Sequence, residues 1–323
     1  MPKDITHWAI ATIAKKSIHD QQIRWVIDEN YAMFLVGAVA YDIPYYSSAK
    51  FSHILGNKAN ELHGVTSCNV WEPIIKLLQY YSVEKDSSVS GPILSLVLGC
   101  ITHVIIDSNF HPFIYYFTGN YYDEDINKRN KAVFKHRQLE AHLDLYYLDK
   151  LNYTGPTKAK KIVSQLQSPM IAEILSLLYF RSHANERIGM TQNCIESYVR
   201  AQGLFNNMVL KYVCKLVGMV NSEMRKRSAL FYPKSIDPAY YRLFENNSQY
   251  CHPASGKVIQ ASLDKIYNNC IRDIITSFYK LACCKTSNEL METLRGFSAV
   301  SLETGIECAS PTLMEYFSNK PLP

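Results

Sequence analysis

Apolar residues recur along this chain at helical spacing, and almost nowhere at the two-residue spacing of a half-buried strand. A short pattern runs from Ile5 to Ala14. A longer one runs from Gln21 to Ala40 and stops before Asp42-Ile43-Pro44, where Pro44 biases its neighbour to an extended conformation. Residues 43–68 carry scattered Ser, Asn and Gly and read as irregular. Asn69 then caps a helix whose stripe is Val70, Ile74, Leu77, Leu78 and Tyr81. After a loop at Lys85–Ser90, Gly91-Pro92 opens a helix, with Pro92 in the first turn where no N–H is needed. That helix is apolar all round from Ile93 to Ile106, which places it at the centre of the fold. A polar loop, Thr118–Asn130, leads to a helix at Lys131–Asp149. Beyond Gly155-Pro156, helical patterns follow at Ile171–Phe180, Cys194–Met224 and Val258–Cys284. A capping box from Thr286 to Glu289 opens a last short helix that ends at Arg295. No internal repeat is present and no alternating run demands a strand, so the predicted class is all-α. Residues 1–155 form one unit and 156–323 a helical C-terminal region, whose helices at 194–224 and 258–284 hold enough apolar residues to pack on it as a layer.

Composition agrees with this reading. With 47% hydrophobic and 20% charged residues, and only 13 Gly and 13 Pro, the chain is neither disordered, collagenous nor turn-rich all-β. The net charge of +5 is mild and its cations are scattered, so nucleic acid is not an expected partner. The one tight basic cluster, Arg225-Lys226-Arg227, reads as a solvated helix end rather than a phosphate patch. Nine cysteines without a C-x-x-C pair read as reduced, mostly buried thiols and a cytosolic folding compartment. The first residues contain no apolar h-region, so no Sec signal peptide is read and the expected location is cytoplasmic, with export by a dedicated secretion apparatus left open. The longest apolar run, Ile93–Ile106, is shorter than the roughly 20 residues a membrane span needs, so a soluble protein is expected.

The chemistry lies in the first half. Seven of the ten histidines precede residue 137, and two groups have helical register. His103, Asp107 and His111 stand at i, i+4 and i+8, so they project from one face of a helix that is otherwise apolar. His136 and Glu140 repeat the i, i+4 spacing. An imidazole and a carboxylate buried in a core must be paired or bound to metal, since desolvation otherwise costs too much. One such pair is ordinarily a core hydrogen bond. Two pairs, a third His in register and the isolated His7, Asp42, His53 and His63 point to a metal site. Nitrogen and oxygen donors without thiolate favour zinc or another borderline divalent ion, and there are more donors than the four that one zinc takes.

Read in order, the segments Met-Pro-Lys-Asp-Ile-Thr-His7-Trp, Val-Gly-Ala-Val-Ala-Tyr-Asp42, Leu62-His63-Gly64, Leu98-Gly-Cys-Ile-Thr-His103-Val-Ile-Ile-Asp107-Ser-Asn-Phe-His111-Pro112 and His136-Arg-Gln-Leu-Glu140 resemble the zinc-dependent phospholipase C family, whose bacterial members hydrolyse phosphatidylcholine and which is related to single-strand-specific nucleases. The resemblance covers residues 1–150 well and the rest poorly. It implies a helical bundle enclosing a cleft with two to three zinc ions. One zinc would be held by Asp42, His63, His103 and Asp107, and a second by His111, His136 and Glu140. A third would take His7, the second oxygen of Asp107 and the terminal amine of Met1 or Pro2. Asp42 is the implied general base. The implied reaction is hydrolysis of the glycerol-side phosphodiester, on a membrane surface or micelle, to diacylglycerol and a phosphorylated head group. Two departures stand out. Phe51-Ser52-His53 also resembles the loop-histidine segment, though Gly64 favours His63. Ile43 replaces the aromatic that follows the loop Asp in choline-specific relatives, which leaves the head group open between phosphatidylcholine and phosphatidylglycerol. Tyr45 and Tyr46 stand as cation–π candidates or packing residues. His183 and His252 read as non-ligands. The rival functions are a zinc-dependent nuclease or nucleotidase and a non-catalytic, zinc-stabilised interaction protein; the oligomeric state is not readable.

Overall fold

The computed structural model describes residues 3–66, 69–84, 87–181, 184–246, 248–307, 314–319 and 322. Among them are fifteen α-helices, one 3-10 turn and a two-stranded sheet, so the fold is all-α. Helices α1 (Asp4–Lys16), α2 (Gln21–Glu29) and α3 (Tyr31–Gly37) lead through the 3-10 turn Ile43–Tyr46 to α4 (Ser52–Leu62) and α5 (Glu72–Glu84). The central α6 (Ser87–Thr118) and α7 (Ile126–Lys150) follow, then α8 (Ala159–Val163), α9 (Ser168–Phe180), α10 (Asn185–Leu204), α11 (Met208–Val217), α12 (Ser222–Ser228) and α13 (Pro238–Glu245). An antiparallel hairpin of β1 (Ser248–Cys251) and β2 (Val258–Ala261), registered Ser248 to Ala261, precedes α14 (Leu263–Ala282) and α15 (Ser287–Arg295).

The differences from the sequence pattern have local causes. The pattern over 21–40 divides at Asn30, whose backbone leaves the helical region and whose amide donates back to Val26 O. The stretch 43–68, expected irregular, holds α4. Asn69 makes a turn by accepting from Trp71 N, and its helix starts three residues later. Of the loop expected at Lys85–Ser90, residues 85 and 86 lie outside the described residues, and the rest is already helical. Asp125 caps α7 by accepting from Asn127 N at 2.8 Å, so α7 begins five residues before the expected Lys131. The pattern over 194–224 is split by two asparagine N-caps, Asn207 accepting from Leu210 N and Asn221 from Met224 N. The pattern at Val258 begins as a strand, and Ser262 caps the helix that follows.

One core runs from Ile5 to Leu302. Helix α6 is its axis. It is long and apolar enough to cross a membrane by composition, yet 83% of that window is buried inside the fold. Helix α14 covers it with Ile266, Cys270, Ile274 and Phe278, as a packed layer should. Helix α11 does not join that layer: only Cys214 of its ten residues is buried.

Two contacts position the first half. Helices α3 and α6 cross at Gly37 and Gly99, and a Cβ at Gly99 would overlap the Phe34 carbonyl, so the crossing needs glycine on both sides. Asp144 on α7 caps α1 across space. Its carboxylate accepts from Ile5 N, Thr6 N and Thr6 Oγ1, at 3.2, 2.8 and 2.7 Å, and from the Tyr232 hydroxyl at 2.7 Å. Gly99→Ala should therefore destabilise the protein by about 1–3 kcal/mol through overpacking, read by chemical denaturation. Gly56→Ala, where a Cβ meets nothing within 4 Å inside α4, should instead stabilise by about 0.5–1 kcal/mol.

Candidate metal centre

The helical register of α6 places His103, Asp107 and His111 on one buried line, and the α3–α6 crossing brings the turn carrying Asp42 over it. His63 arrives from the end of α4. Gly64, at φ 72°, terminates that helix, with Gly64 N donating to Glu61 O and Val65 N to Asn60 O. This termination turns His63 inward, where it is fully buried; His53, in the first turn of the same helix, is exposed.

Four donor atoms meet there. His63 Nε2 lies 3.1 Å from Asp42 Oδ1 and 3.7 Å from Asp107 Oδ2, and His103 Nε2 lies 3.8 Å and 3.1 Å from the same two oxygens. Ligands about 2.0–2.1 Å from one tetrahedral zinc stand roughly 3.4 Å apart, so these separations match the edges of such a tetrahedron. The hydrogen bonds around the rings agree. Nδ1 of His63, His103 and His111 each faces a backbone carbonyl, of Ala59 at 2.7 Å, Ala38 at 3.0 Å and Leu302 at 2.6 Å. A carbonyl can only accept, so each Nδ1 carries a proton, and each ring in its neutral form offers its Nε2 lone pair to the interior. His103 Nε2, His111 Nε2 and both oxygens of Asp107 are buried with no hydrogen-bond partner of good geometry. Buried polar atoms without partners are costly, and a cation among them would remove the cost.

His111, His136 and Glu140 form a second donor group, with His136 Nε2 2.9 Å from Glu140 Oε1. Burial lowers the pKa of His111 and His136 below the ordinary imidazole value, which favours the neutral, ligating form. His7, on α1, stacks on His103 at 4.5 Å and places Nε2 3.2 Å from Asp107 Oδ1. Asp107 thus faces His63 and His103 with one oxygen and His7 with the other. Burial alone would raise its pKa, but His103, His111 and His7 hold it well below the carboxylate range. The terminal amine of Met1 or Pro2 and His183 lie outside the described residues. His252 belongs to neither donor group; its Nδ1 accepts from two backbone amides of its own turn.

The donors border a cleft of about 590 Å³ whose lining includes Asp42, His136 and Glu140. Tyr45, Tyr46, Tyr115, Tyr121 and Tyr122 supply its ring faces, and Arg129, Arg137 and Arg227 its cations. Tyr46 also packs on Tyr198 and Phe205, the packing role of the two that the sequence left open. Arg227, read from sequence as part of a solvated helix end, lines this cleft. Glu303 was not legible at all. It is buried, accepts a hydrogen bond from Tyr115, and burial pushes its carboxyl up to about 7 against the pull of His63. It reaches the site because the 301–305 segment straps both donor groups: Leu302 N donates to His63 O at 3.0 Å, and Leu302 O holds His111. No local signal marks that segment.

The model of the family described as zinc dependent phospholipase C matches residues 6–185, more than half of the chain. The chain matches no curated protein and no solved structure.

Two expectations follow for the metal. His103 in the metal-free protein has its pKa lowered by burial but raised further by Asp107 and Asp42, to about 9. It therefore carries a proton at neutral pH that a metal must displace. Zinc uptake at pH 7 should release about one proton from this ring, and affinity should rise with pH up to about 9; calorimetry in buffers of differing ionisation enthalpy reads both. In the metal-free protein the sign for stability is opposite. The contribution of charged His103 is complete below the unfolded value of about 6.5 and is lost as pH rises through about 9. For the loop histidine, His63→Ala should lower bound zinc by at least one equivalent by elemental analysis, while His53→Ala should leave it unchanged.

Proposed function

The chain belongs to the zinc-dependent phospholipase C family, and on that premise we propose that it hydrolyses the glycerol-side phosphodiester of phospholipids, phosphatidylcholine and also phosphatidylglycerol, to diacylglycerol and a phosphorylated head group. The observation that carries this reading is the convergence of two buried donor groups on the floor of one tyrosine-walled cleft. We assign Asp42, His63, His103 and Asp107 to one zinc, and His111, His136 and Glu140 to a second. His7 with Asp107 Oδ1 is assigned to a third, which the terminal amine completes. Zinc bound there supplies a Lewis acid for the phosphate oxygens and lowers the pKa of bound water toward 7.

The remaining steps belong to the chain's own residues. Asp42 Oδ1 is approached by His63 and His103, and Asp42 lines the cleft, so its second oxygen is assigned to take the proton of the attacking water. One carboxylate then serves as both ligand and general base. Arg129, Arg137 and Arg227 meet the phosphate charge from the cleft wall. Tyrosine ring faces and Glu303 suit a quaternary ammonium, while the arginines suit an anionic head group. A wall with both features does not select one head group, in keeping with Ile43 where an aromatic would narrow the choice.

The same arginines and rings are the observation that favours a second reading, a nucleotide or single-stranded nucleic acid as the phosphodiester. The sequence offered no basic stripe near the donor segments; Arg129 and Arg137 stand on α7 with His136, and only the fold brings Arg227 of α12 to the same cleft. A substrate panel decides. Diacylglycerol from phosphatidylcholine and phosphatidylglycerol is the expected product, and cleavage of single-stranded DNA with no diacylglycerol from any lipid moves the assignment to the nuclease branch. No turnover of any phosphodiester by the zinc-loaded protein would leave the non-catalytic reading.

Asp42→Asn retains shape and loses basicity. Its rate should drop about 10²-fold or more, measured together with zinc content. A rate near wild type with zinc retained would remove Asp42 as the base.

A further inference from the structure

Helix α11 turns its apolar residues away from the protein. Val209, Tyr212, Val213 and Leu216 recur at three- and four-residue steps and so form one stripe. The stripe continues onto the turn that follows, where Met219 is 81% and Val220 92% exposed. Apolar side chains standing out side by side mark a binding face. The cations beside it are equally concentrated. Lys211 and Lys215 on α11 and Arg225, Lys226 and Arg227 on α12 face a single carboxylate, Glu223, between residues 205 and 230, in a chain whose whole net charge is +5. Lys226 pairs with Glu223 and Lys211 Nζ bonds Tyr232 O at 3.1 Å, which leaves the cationic excess in place. Lys211, Lys215 and Arg225 also line a cavity of about 520 Å³ beside the stripe.

This face is continuous with the cleft. A Cβ at Gly218 would stand 2.8 Å from Arg225 Cα, so the glycine lets α11 and α12 fold tightly on each other. Glu223 and Arg227 of α12 line the cleft, and Arg137, next to His136, donates to Lys226 O at 3.2 Å. Helix α12 therefore joins the stripe of α11 to the cleft.

We propose that α11 and α12 form a membrane-docking face that seats the protein on anionic phospholipid bilayers. The stripe enters the boundary between head groups and acyl chains, and the flanking cations meet lipid phosphates. The occupant follows from charge complementarity: an apolar stripe ringed by cations matches an anionic lipid surface, whereas burial against a second copy would bring the cations together. The purpose of the face rests on the phospholipase reading, but its test does not.

Full-length protein is sedimented with vesicles of phosphatidylcholine alone and of phosphatidylcholine with phosphatidylglycerol. Wild type should partition onto the anionic vesicles, and less so at high salt. The double variant Met219→Glu, Val220→Glu should lower that partitioning about tenfold or more. Lys211→Glu with Lys215→Glu should lower it for anionic vesicles only. Hydrolysis of a monomeric, short-chain phosphatidylcholine should be unchanged in each variant, while hydrolysis of vesicle lipid drops in parallel with binding. Equal vesicle binding by wild type and variants, or none by wild type, overturns the proposal. So does a wild-type dimer by light scattering that Met219→Glu, Val220→Glu dissolves, since the stripe then holds a second copy. Variant-sensitive vesicle binding with no hydrolysis of any lipid upholds the docking face and removes the phospholipase reading instead.

Discussion

The carboxylate of Asp107 is wholly buried, and its two oxygens face three imidazoles from three different elements. A charge in that position is tolerable only if opposite charge surrounds it, because desolvation would otherwise return the group to its neutral form. The fold is arranged to meet that demand. Helix α6 carries Asp107 down the middle of the core, α1 delivers His7, α4 ends in time to deliver His63, and the α3–α6 glycine crossing lowers Asp42 onto the same point. Backbone carbonyls of Ala38, Ala59 and Leu302 then fix the ring orientations. In the metal-free chain the arrangement is held by a charged His103; a dication replaces that proton with a stronger partner for the same oxygens.

The C-terminal region is part of this arrangement. Leu302 ties His63 to His111 through its own N–H and C=O, Tyr232 helps Asp144 cap the helix that holds His7, and Tyr179 donates to Ala40 O beside the Asp42 turn. Residues well past the last donor, Glu140, therefore set the site's geometry, and one continuous core joins them to it. The cleft above the donors is lined by two kinds of group, arginines on one hand and tyrosine rings with the buried Glu303 on the other.

How much of this was written locally depends on distance along the chain. His103, Asp107 and His111, and His136 with Glu140, could be paired from sequence because the α-helical period fixes which side chains share a face within one element. The class of the fold and the buried centre of α6 followed from the same periodicity. His63 could be preferred to His53 only through Gly64, a local signal whose reason, the positive φ that ends α4, the structure supplies. Caps at Asn207, Asn221 and Asp125 were also present in the sequence, but a periodic pattern bridged the first two and the third lay in a stretch that reads as a polar loop.

Tertiary structure alone decided the rest. Glu303 sits in a stretch with no motif, Asp144 only continues the register of His136 and Glu140, and Arg227 stands in a cluster that reads as a solvated helix end; each acquires its role from a neighbour that is distant in sequence. The clearest case is α11. Its apolar stripe had the spacing of a core layer, as did that of α14, yet α14 packs on α6 while the stripe of α11 stands exposed. Periodicity states that one face of a helix is apolar. Which surface meets that face depends on where the chain's other helices have already packed, and no local window of sequence contains that information.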